Sequence, residues 1–234
     1  MEPRIKALIF DFGGVVIDMG WSKMVELERK YGMKPGAFRH ALWGHDVWRQ
    51  RETGLGTIEE YQAAVQREMD AAAGKHVPEA IADWWAYKRL LNEDLLELVA
   101  GLRGDYKIGL LSNADDNLER RLQEDLKIFD RFDDVVNSAR VGMAKPDPRI
   151  YALACERLGV QPLEAVFVDD LVRNIEAARK AGLNTIHFEG DNEALFAELR
   201  ALGVPTDGRK LKSPRFYEVP AEWRAAMAAR DLSA

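Results

Sequence analysis

The sequence predicts an α/β fold with a doubly wound parallel sheet and an all-helical segment inserted after the first strand. From residue 92 onward, short apolar runs alternate with helical patterns, which is typical of strand–helix–strand units. Between residues 17 and 91, apolar residues recur at helical spacing and no strand pattern interrupts them. Several apolar runs end in Asp, Ser or Asn. Polar side chains should therefore gather at one edge of the sheet.

The first predicted strand covers residues 5–10 and delivers Asp11 into a turn. Its branched apolar residues and the following Gly13 and Gly14 favour a strand over a short helix. A carboxylate at the end of a buried strand is costly to desolvate unless a cation or a hydrogen-bond donor pairs with it. Asp11 is therefore the first candidate functional residue.

The inserted segment begins with a helical stripe formed by Met24, Leu27 and Tyr31. Thr57 and Glu60 have the spacing of a capping box at the start of another helix. Further apolar residues recur at helical spacing up to the end of the segment. We therefore expect several helices and no strand in this part of the chain.

The second half of the chain returns to alternating strands and helices. Asn92 and Asp147 are expected to cap helix starts, and Gly182 to follow a helix end. Strands are predicted near 107–112, 134–137, 164–168 and 184–188, and helices near 93–102, 115–124, 148–158, 173–181 and 191–201.

These patterns divide the chain into three parts. Residues 1–16 and 92–204 form the predicted sheet domain, and residues 17–91 form the helical insertion. Residues 205–234 are a C-terminal extension, with turn residues at 206–208 and a possible short helix over 221–232.

The composition indicates a globular protein that binds neither nucleic acid nor membrane. Hydrophobic residues make up 47% of the 234 residues, and the formal net charge is -6. No block of Lys or Arg forms a basic surface, and no apolar segment is long enough to span a bilayer. The single cysteine, Cys155, lies on an apolar helix face, where we expect it to pack. No signal peptide is evident, so we expect a cytoplasmic protein. We expect it to be a monomer or a homodimer.

Four segments, taken in order, resemble the motifs of the haloacid dehalogenase-like hydrolases. The resemblance extends roughly from Ile5 to Leu202, and it implies a Rossmann-like core with the helical insertion as a cap domain. The segments are Asp11-Phe12-Gly13-Gly14-Val15, Leu111-Ser112-Asn113, Lys145-Pro146, and Val168-Asp169-Asp170 with Asn174.

The carboxylates of these motifs predict a magnesium site. Carboxylates that converge on one crevice repel each other unless a cation holds them, and oxygen ligands suit Mg²⁺. The resemblance implies that Asp11, the carbonyl of Gly13 and Asp170 bind the metal, with Asp169 acting directly or through water. Helix capping is the alternative role for the Asp169-Asp170 pair.

The resemblance also assigns catalytic roles. Asp11 would attack phosphorus as the nucleophile, Ser112 and Asn113 would donate hydrogen bonds to the phosphoryl group, and Lys145 would neutralise charge. Asn174 would support either Lys145 or the metal shell. A loop turn is the alternative for Ser112 and Asn113, and a surface position is the alternative for Asn174.

Substrate-binding residues are expected in the glycine turn, at Gly14, and in the insertion. Trp43 or Trp48 could stack on a sugar face, and Arg49 could hold a second anion. Packing within a helical core is the alternative for the tryptophans. His45 is the histidine that we consider as a substitute proton donor.

Gly13 departs from the pattern of many phosphatases of this family, which carry a second Asp there as general acid and base. Such assistance is worth ~10²–10⁴ in rate. Glycine can still offer its carbonyl to Mg²⁺, and the subgroup that resembles sugar-1-phosphate phosphatases includes members of this form. We therefore predict a Mg²⁺-dependent phosphatase that forms an aspartyl-phosphate and acts on a small-molecule phosphate, with sugar phosphates among the candidates.

Two alternatives remain open. A 2-haloacid dehalogenase needs no proton for its halide leaving group, so Gly13 would be no handicap. A non-catalytic binding or regulatory module of the same fold would bind phosphate analogues without turnover.

Overall fold

A computed structural model describes residues 4–206 and 210–218 and confirms the predicted fold class. The strands of the described chain form a five-stranded parallel sheet in the order β3-β2-β1-β4-β5. They are β1 (Ala7–Phe10), β2 (Lys107–Ser112), β3 (Asp134–Asn137), β4 (Ala165–Asp169) and β5 (Asn184–His187).

The central strand β1 is buried on both faces, as is typical of parallel sheets covered by helices. Its side chains alternate, because Leu8 and Phe10 pack in one apolar cluster while Ala7 and Ile9 pack in the other. In the register of the sheet, Phe10 pairs with neighbours on both β2 and β4. The residues that follow these three strands therefore emerge side by side.

The insertion between β1 and β2 is helical, as predicted. Met24, Phe38 and Trp84 are fully buried in an apolar cluster that belongs to this insertion. The capping box of Thr57 and Glu60 is present. The helices are α1 (Trp21–Tyr31), α2 (Ala37–Trp43), α3 (Asp46–Arg51), α4 (Ile58–Ala73) and α5 (Pro78–Trp85).

The remaining helices cover the two faces of the sheet. Asn92 and Asp147 cap their helices as predicted. The helices are α6 (Glu93–Leu102), α7 (Leu118–Arg120), α8 (Ser138–Val141), α9 (Pro148–Leu158), α10 (Val172–Lys180) and α11 (Asn192–Ala201). Residues of α6 and α11 pack in one cluster, and residues of α9 and α10, including Cys155, pack in the other.

The predicted helix over 115–124 is wrong in its first part. Residues 115–117 form a turn, α7 has three residues, and a π-helical turn follows over Arg121–Asp125. The Asp115 side chain accepts a hydrogen bond from the backbone N–H of Asn117 at 3.0 Å. Such local side-chain bonds compete with the helical ladder, so the helix starts late.

Part of the C-terminal extension packs back on the sheet domain. The backbone N–H groups of Lys212 and Ser213 donate to Asp94 at 2.8 and 2.7 Å. The Tyr217 ring packs edge-on against Phe188, with centroids 5.9 Å apart. The predicted helix over 221–232 and most of the predicted turn at 206–208 lie outside the described residues.

No helix in residues 4–206 and 210–218 has both the length and the apolar character needed to cross a membrane.

Candidate active site

The carboxyl ends of β1, β2 and β4 bring the predicted motif residues together. Asp11 follows β1, Ser112 ends β2, and Asp169 ends β4. Carboxylate oxygens of Asp11, Asp169 and Asp170 all lie within 4.8 Å of one another. The geometry therefore fits the predicted convergence of carboxylates at one edge of the sheet.

Lys145 lies at the centre of this cluster. Its side chain is almost fully buried, and Nζ lies 2.8 Å from Asp11 Oδ1 and 2.7 Å from Asp169 Oδ2. Nζ also donates to the carbonyl of Leu111 at 3.0 Å. Burial lowers the pKa of Lys145, but attraction to Asp11 and Asp169 outweighs it and raises the pKa overall. Lys145 is therefore a permanent positive charge beside Asp11.

The Asn113 side chain holds the backbone of Lys145. Its Nδ2 donates to the Lys145 carbonyl at 2.9 Å, and its Oδ1 accepts from the Lys145 N–H at 2.8 Å. The Lys145–Pro146 peptide is cis. The Asn113 side chain thus positions Lys145, and its hydrogen bond to a phosphoryl group stays a prediction.

Asp169 is fully occupied by protein donors. Its Oδ1 accepts from Leu171 N at 2.8 Å and Asn174 Nδ2 at 3.0 Å, and its Oδ2 accepts from Lys145 Nζ at 2.7 Å and Asn174 Nδ2 at 3.0 Å. A carboxylate offers about four lone-pair sites. Asp169 therefore orients Lys145, and its role at the metal, directly or through water, stays a prediction. Asn174 contacts Lys145 only through Asp169.

Asp170 is the second carboxylate that faces the cavity beside Asp11. Its approach depends on Gly14, because a Cβ there would lie 2.3 Å from Asp170 Oδ2. Gly14 also has a backbone φ of 82°, a conformation that residues other than glycine rarely adopt. The N–H of Gly14 donates to the carbonyl of Ile17 at 2.8 Å, and the substrate contact at Gly14 stays a prediction.

The electrostatics of the cluster fit a divalent cation. Burial raises the pKa of Asp11 to about 7 against the opposing effect of Lys145. Burial, and then the charge of Asp169, raise the pKa of Asp170 well above its ordinary value. Three carboxylates with one buried Lys145 carry excess negative charge, which Mg²⁺ would balance. Asp11, Asp170 and the carbonyl of Gly13 remain the predicted ligands.

Gly13 packs against the side chain of Met19. A Cβ on Gly13 would lie 2.6 Å from the sulfur of Met19. Met19 therefore occupies the space into which a longer side chain would extend.

A cavity of about 490 Å³ lies between the edge of the sheet and the insertion. This volume is in the range typical of small-molecule sites. The core contributes Asp11, Ser112 and Lys145, and the insertion contributes aromatic side chains that include Trp43 and Trp48.

The insertion residues predicted to act on the substrate differ in how they contact the cavity. Trp48 packs against Tyr61, with ring centroids 5.5 Å apart, and reaches the cavity. Arg49 touches the cavity, but its side chain is 62% exposed and bonds to Asp46 at 2.6 Å. The ring nitrogens of His45 contact the carbonyl of Ala41 and the N–H of Trp48. His45 is therefore poorly suited to donate a proton to a substrate.

Several residues that line the cavity were not predicted from the sequence as site residues. They are charged, they come from segments far apart in the chain, and no spacing connects them: Arg39, Glu52, Arg89, Arg121 and Arg173. Burial raises the pKa of Glu52 to about 7, although Arg173, Trp48, Asn113 and Lys145 act in the opposite direction.

Comparison with known proteins agrees with the motifs. The family model for haloacid dehalogenase-like hydrolases matches residues 5–182. A D-ribitol-5-phosphate phosphatase from Bacteroides thetaiotaomicron is 26% identical over 199 residues, covering 81% of this chain and 94% of that protein. An (S)-2-haloacid dehalogenase 4A from Burkholderia cepacia is 35% identical over 103 residues, covering 43% of this chain and 45% of that protein.

A solved structure gives the same fold with bound ligands. It is the family enzyme bt-2542 from Bacteroides thetaiotaomicron, in complex with magnesium and inorganic phosphate. The two chains share 29% sequence identity with a TM-score of 0.60, and the match covers 78% of this chain and 93% of that chain.

Proposed function

The chain belongs to the haloacid dehalogenase-like hydrolases, and on that premise we propose that it is a Mg²⁺-dependent phosphatase of a small-molecule phosphate monoester. The observation that carries the proposal is the cluster of Asp11, Lys145, Asp169 and Asp170 at the sheet edge. A carboxylate nucleophile beside a fixed positive charge and a cation site suits phosphoryl transfer, which depends mainly on positioning and charge neutralisation.

In the proposed reaction, a carboxylate oxygen of Asp11 attacks phosphorus. The bond to the alcohol oxygen breaks with its electron pair, and an aspartyl-phosphate forms. Water then attacks that phosphorus, releases inorganic phosphate and restores Asp11. Lys145 balances negative charge on Asp11 and on the phosphoryl group, and the Ser112 hydroxyl at the end of β2 donates to a phosphoryl oxygen. Mg²⁺ would supply further charge neutralisation at this site.

The leaving alkoxide needs a proton that Gly13 cannot provide. Glu52 is a cavity carboxyl group that is neither the proposed nucleophile nor a predicted metal ligand, and its pKa, raised by burial to about 7, lets it hold a proton near neutral pH. Asp115 is another cavity carboxylate, but both of its oxygens have partners. Its Oδ2 lies 3.6 Å from a guanidinium nitrogen of Arg51, and its Oδ1 accepts a hydrogen bond from the backbone N–H of Asn117. We therefore assign proton donation to Glu52.

The insertion over 17–91 acts as a cap in this proposal, and residues 1–16 with 92–204 form the catalytic core. The cap supplies one wall of the cavity, which limits the substrate to a small molecule. The similarity to a phosphatase of D-ribitol 5-phosphate makes sugar and polyol phosphates the first compounds to try.

The proposal is tested by phosphate release from a panel of small phosphates. We expect release with Mg²⁺, none with EDTA, and a loss of at least about 10³-fold in Asp11→Asn, because the nucleophile is removed. Asp105→Asn is the matched control, since Asp105 is exposed between α6 and β2. Phosphate release that persists in Asp11→Asn contradicts the proposal.

A 2-haloacid dehalogenase is the second candidate. Two observations favour it: the absence of an acid at Gly13, and the partial match to an (S)-2-haloacid dehalogenase. The cluster of three carboxylates opposes it, because halide displacement needs no divalent cation. Halide release from 2-haloacids, without Mg²⁺, would favour this candidate. Phosphate binding without any turnover would favour a non-catalytic module.

A further inference from the structure

Arg89 and Arg121 are cavity arginines that have no role in the proposed reaction. Arg89 lies between α5 and α6, and Arg121 begins the π-helical turn after α7. Both guanidinium groups lie over aromatic rings. The Arg89 guanidinium lies 4.8 Å from the ring centroid of Trp84, and that of Arg121 lies 5.7 Å from the ring centroid of Phe12. Within residues 4–206 and 210–218, no carboxylate forms an ion pair with either arginine.

The two guanidinium groups act on each other. Burial, and then the charge of Arg121, lower the pKa of Arg89 to about 10. Asp18 offsets part of this effect, but its oxygens already accept from Gly20 N at 2.8 Å and from the Tyr87 hydroxyl at 2.8 Å. Partly buried like charges are unfavourable unless an anion joins them.

The charge balance of the cavity is opposite to that of the whole protein. Its lining carries six Lys and Arg side chains against four carboxylates, although the chain has a net charge of -6. Lys145 is neutralised by Asp11 and Asp169. The positive charge that remains therefore includes Arg89 and Arg121, whose contacts connect the insertion at Trp84 with the core at Phe12.

We propose that Arg89 and Arg121 bind a second anionic group on the substrate, separate from the phosphate that reacts with Asp11. This inference rests on the proposed phosphatase function. Two guanidinium groups suit an oxyanion, either a carboxylate or a second phosphate, through charge-assisted hydrogen bonds. The substrate is then a small phosphomonoester with such a group at its other end. Arg49, predicted for this role from sequence, is largely exposed and paired with Asp46.

The test compares phosphate esters that differ only in the second anion. One pair is 3-phosphoglycerate and glycerol 3-phosphate, which tests a carboxylate. The other is glucose 1,6-bisphosphate and glucose 1-phosphate, which tests a second phosphate. We expect the native protein to have the higher kcat/KM for the anionic member of at least one pair. A preference for the neutral member in both pairs overturns the proposal.

Variants then assign the effect to the arginines. Arg89→Met and Arg121→Met should lower kcat/KM for the preferred anionic substrate roughly 10- to 100-fold, mostly through KM, and change its neutral partner less than about threefold. Arg121→Lys should retain part of the preference. Arg157→Met is the control, because Arg157 lies outside the cavity and pairs with Asp134 at 3.6 Å. Equal losses for both members of a pair, or loss of the preference in Arg49→Met alone, contradict the proposal.

Binding without turnover separates this inference from the proposed function. Calorimetry with Mg²⁺ compares two unreactive phosphonates, 3-phosphonopropionate and 3-hydroxypropylphosphonate. We expect tighter binding of the carboxylate compound, by roughly tenfold or more, and loss of the difference in Arg121→Met. If no ester releases phosphate, p-nitrophenyl phosphate included, the phosphatase proposal fails. Equal binding of the two phosphonates, together with no preference for either bisphosphate or carboxylate esters, overturns the arginine site.

Discussion

At the scale of single residues, the adjacent carboxylates of Asp169 and Asp170 have different contacts. Asp169 accepts hydrogen bonds on both oxygens and holds Lys145, whereas Asp170 faces the cavity beside Asp11. Asp169 is the last residue of β4 and bonds to Lys145 and Asn174, whereas Asp170 follows the strand and lines the cavity.

Glu52 provides a test of proton donation. We expect Glu52→Gln to lower kcat for an alkyl phosphate about 10²-fold or more, because the poor leaving group needs the proton. The rate with p-nitrophenyl phosphate should change much less, since that leaving group departs without one. Steady-state kinetics on both substrates measure the difference. Equal losses for the two substrates would remove Glu52 from this role.

Glu52 also predicts a pH dependence of stability. Its pKa is raised by burial from 4.5 to about 7 in the folded protein. The protonated Glu52 therefore makes its full contribution to the free energy of unfolding below pH 4.5. This contribution is lost as the pH rises through 7, because the buried carboxyl group then ionises. In EDTA, Glu52→Gln should be more stable than the native protein at pH 8, by up to about 3 kcal/mol, and the difference should disappear near pH 4.5. Urea unfolding at both pH values measures it, and a difference that does not vary with pH would contradict the assignment.

At the scale of elements, the helix cap at Asn92 connects the end of the insertion to the sheet domain. Asn92 caps α6 through Leu95 N and also bonds to Asn192 of α11 at 2.9 Å. Its Nδ2 donates to the carbonyl of Val15 at 3.2 Å. One side chain therefore connects the return from the insertion, the turn after β1 and the last helix of the sheet domain. The turn after β1 carries Gly13 and Gly14, so this cap stabilises the region of the active site.

The capping box of α4 allows stability to be separated from activity. Thr57→Ala should lower the free energy of unfolding by about 1 kcal/mol, because the N–H of Glu60 loses its acceptor. Thr57 does not line the cavity, so kcat/KM for any substrate should stay the same. Chemical denaturation and phosphate release measure the two effects, and Thr57→Ser should restore stability. A change in kcat/KM would mean that α4 affects the site.

At the scale of the whole molecule, the described part of the C-terminal extension joins the two halves of the structure. Tyr217 packs against the apolar cluster of the sheet domain and also against that of the insertion. Phe216, its neighbour, packs against the sheet domain cluster. The extension therefore helps to fix the insertion over the cavity.

Tyr217→Ala tests this connection. We expect a loss of about 2–4 kcal/mol in the free energy of unfolding, since a large, partly buried ring is removed. Hydrogen exchange should increase in the helices that form the apolar cluster of the insertion, because Tyr217 no longer packs against that cluster. Phe216→Ala is the matched comparison and should destabilise the sheet domain without that local increase. The same exchange pattern in both variants would contradict the connecting role.

Much of the fold was predictable because it depends on local periodicity. The strand patterns, the helical insertion and the caps at Asn92, Thr57 and Asp147 all agree with the structure. The broken helix at 115–117 was not predicted, because an Asx turn at Asp115 competes with helix formation over a few residues.

The sequence alone determined the family, the fold class and the convergence of Asp11, Lys145 and the Asp169-Asp170 pair. Strand ends in a parallel sheet meet at one edge, and motif order identifies which ends carry carboxylates. Only the tertiary structure decided that Asn113 holds Lys145 and that Asp169 is saturated by donors. It also decided which charged residues line the cavity. These outcomes depend on distances between segments far apart in the chain, which packing sets and local spacing does not report.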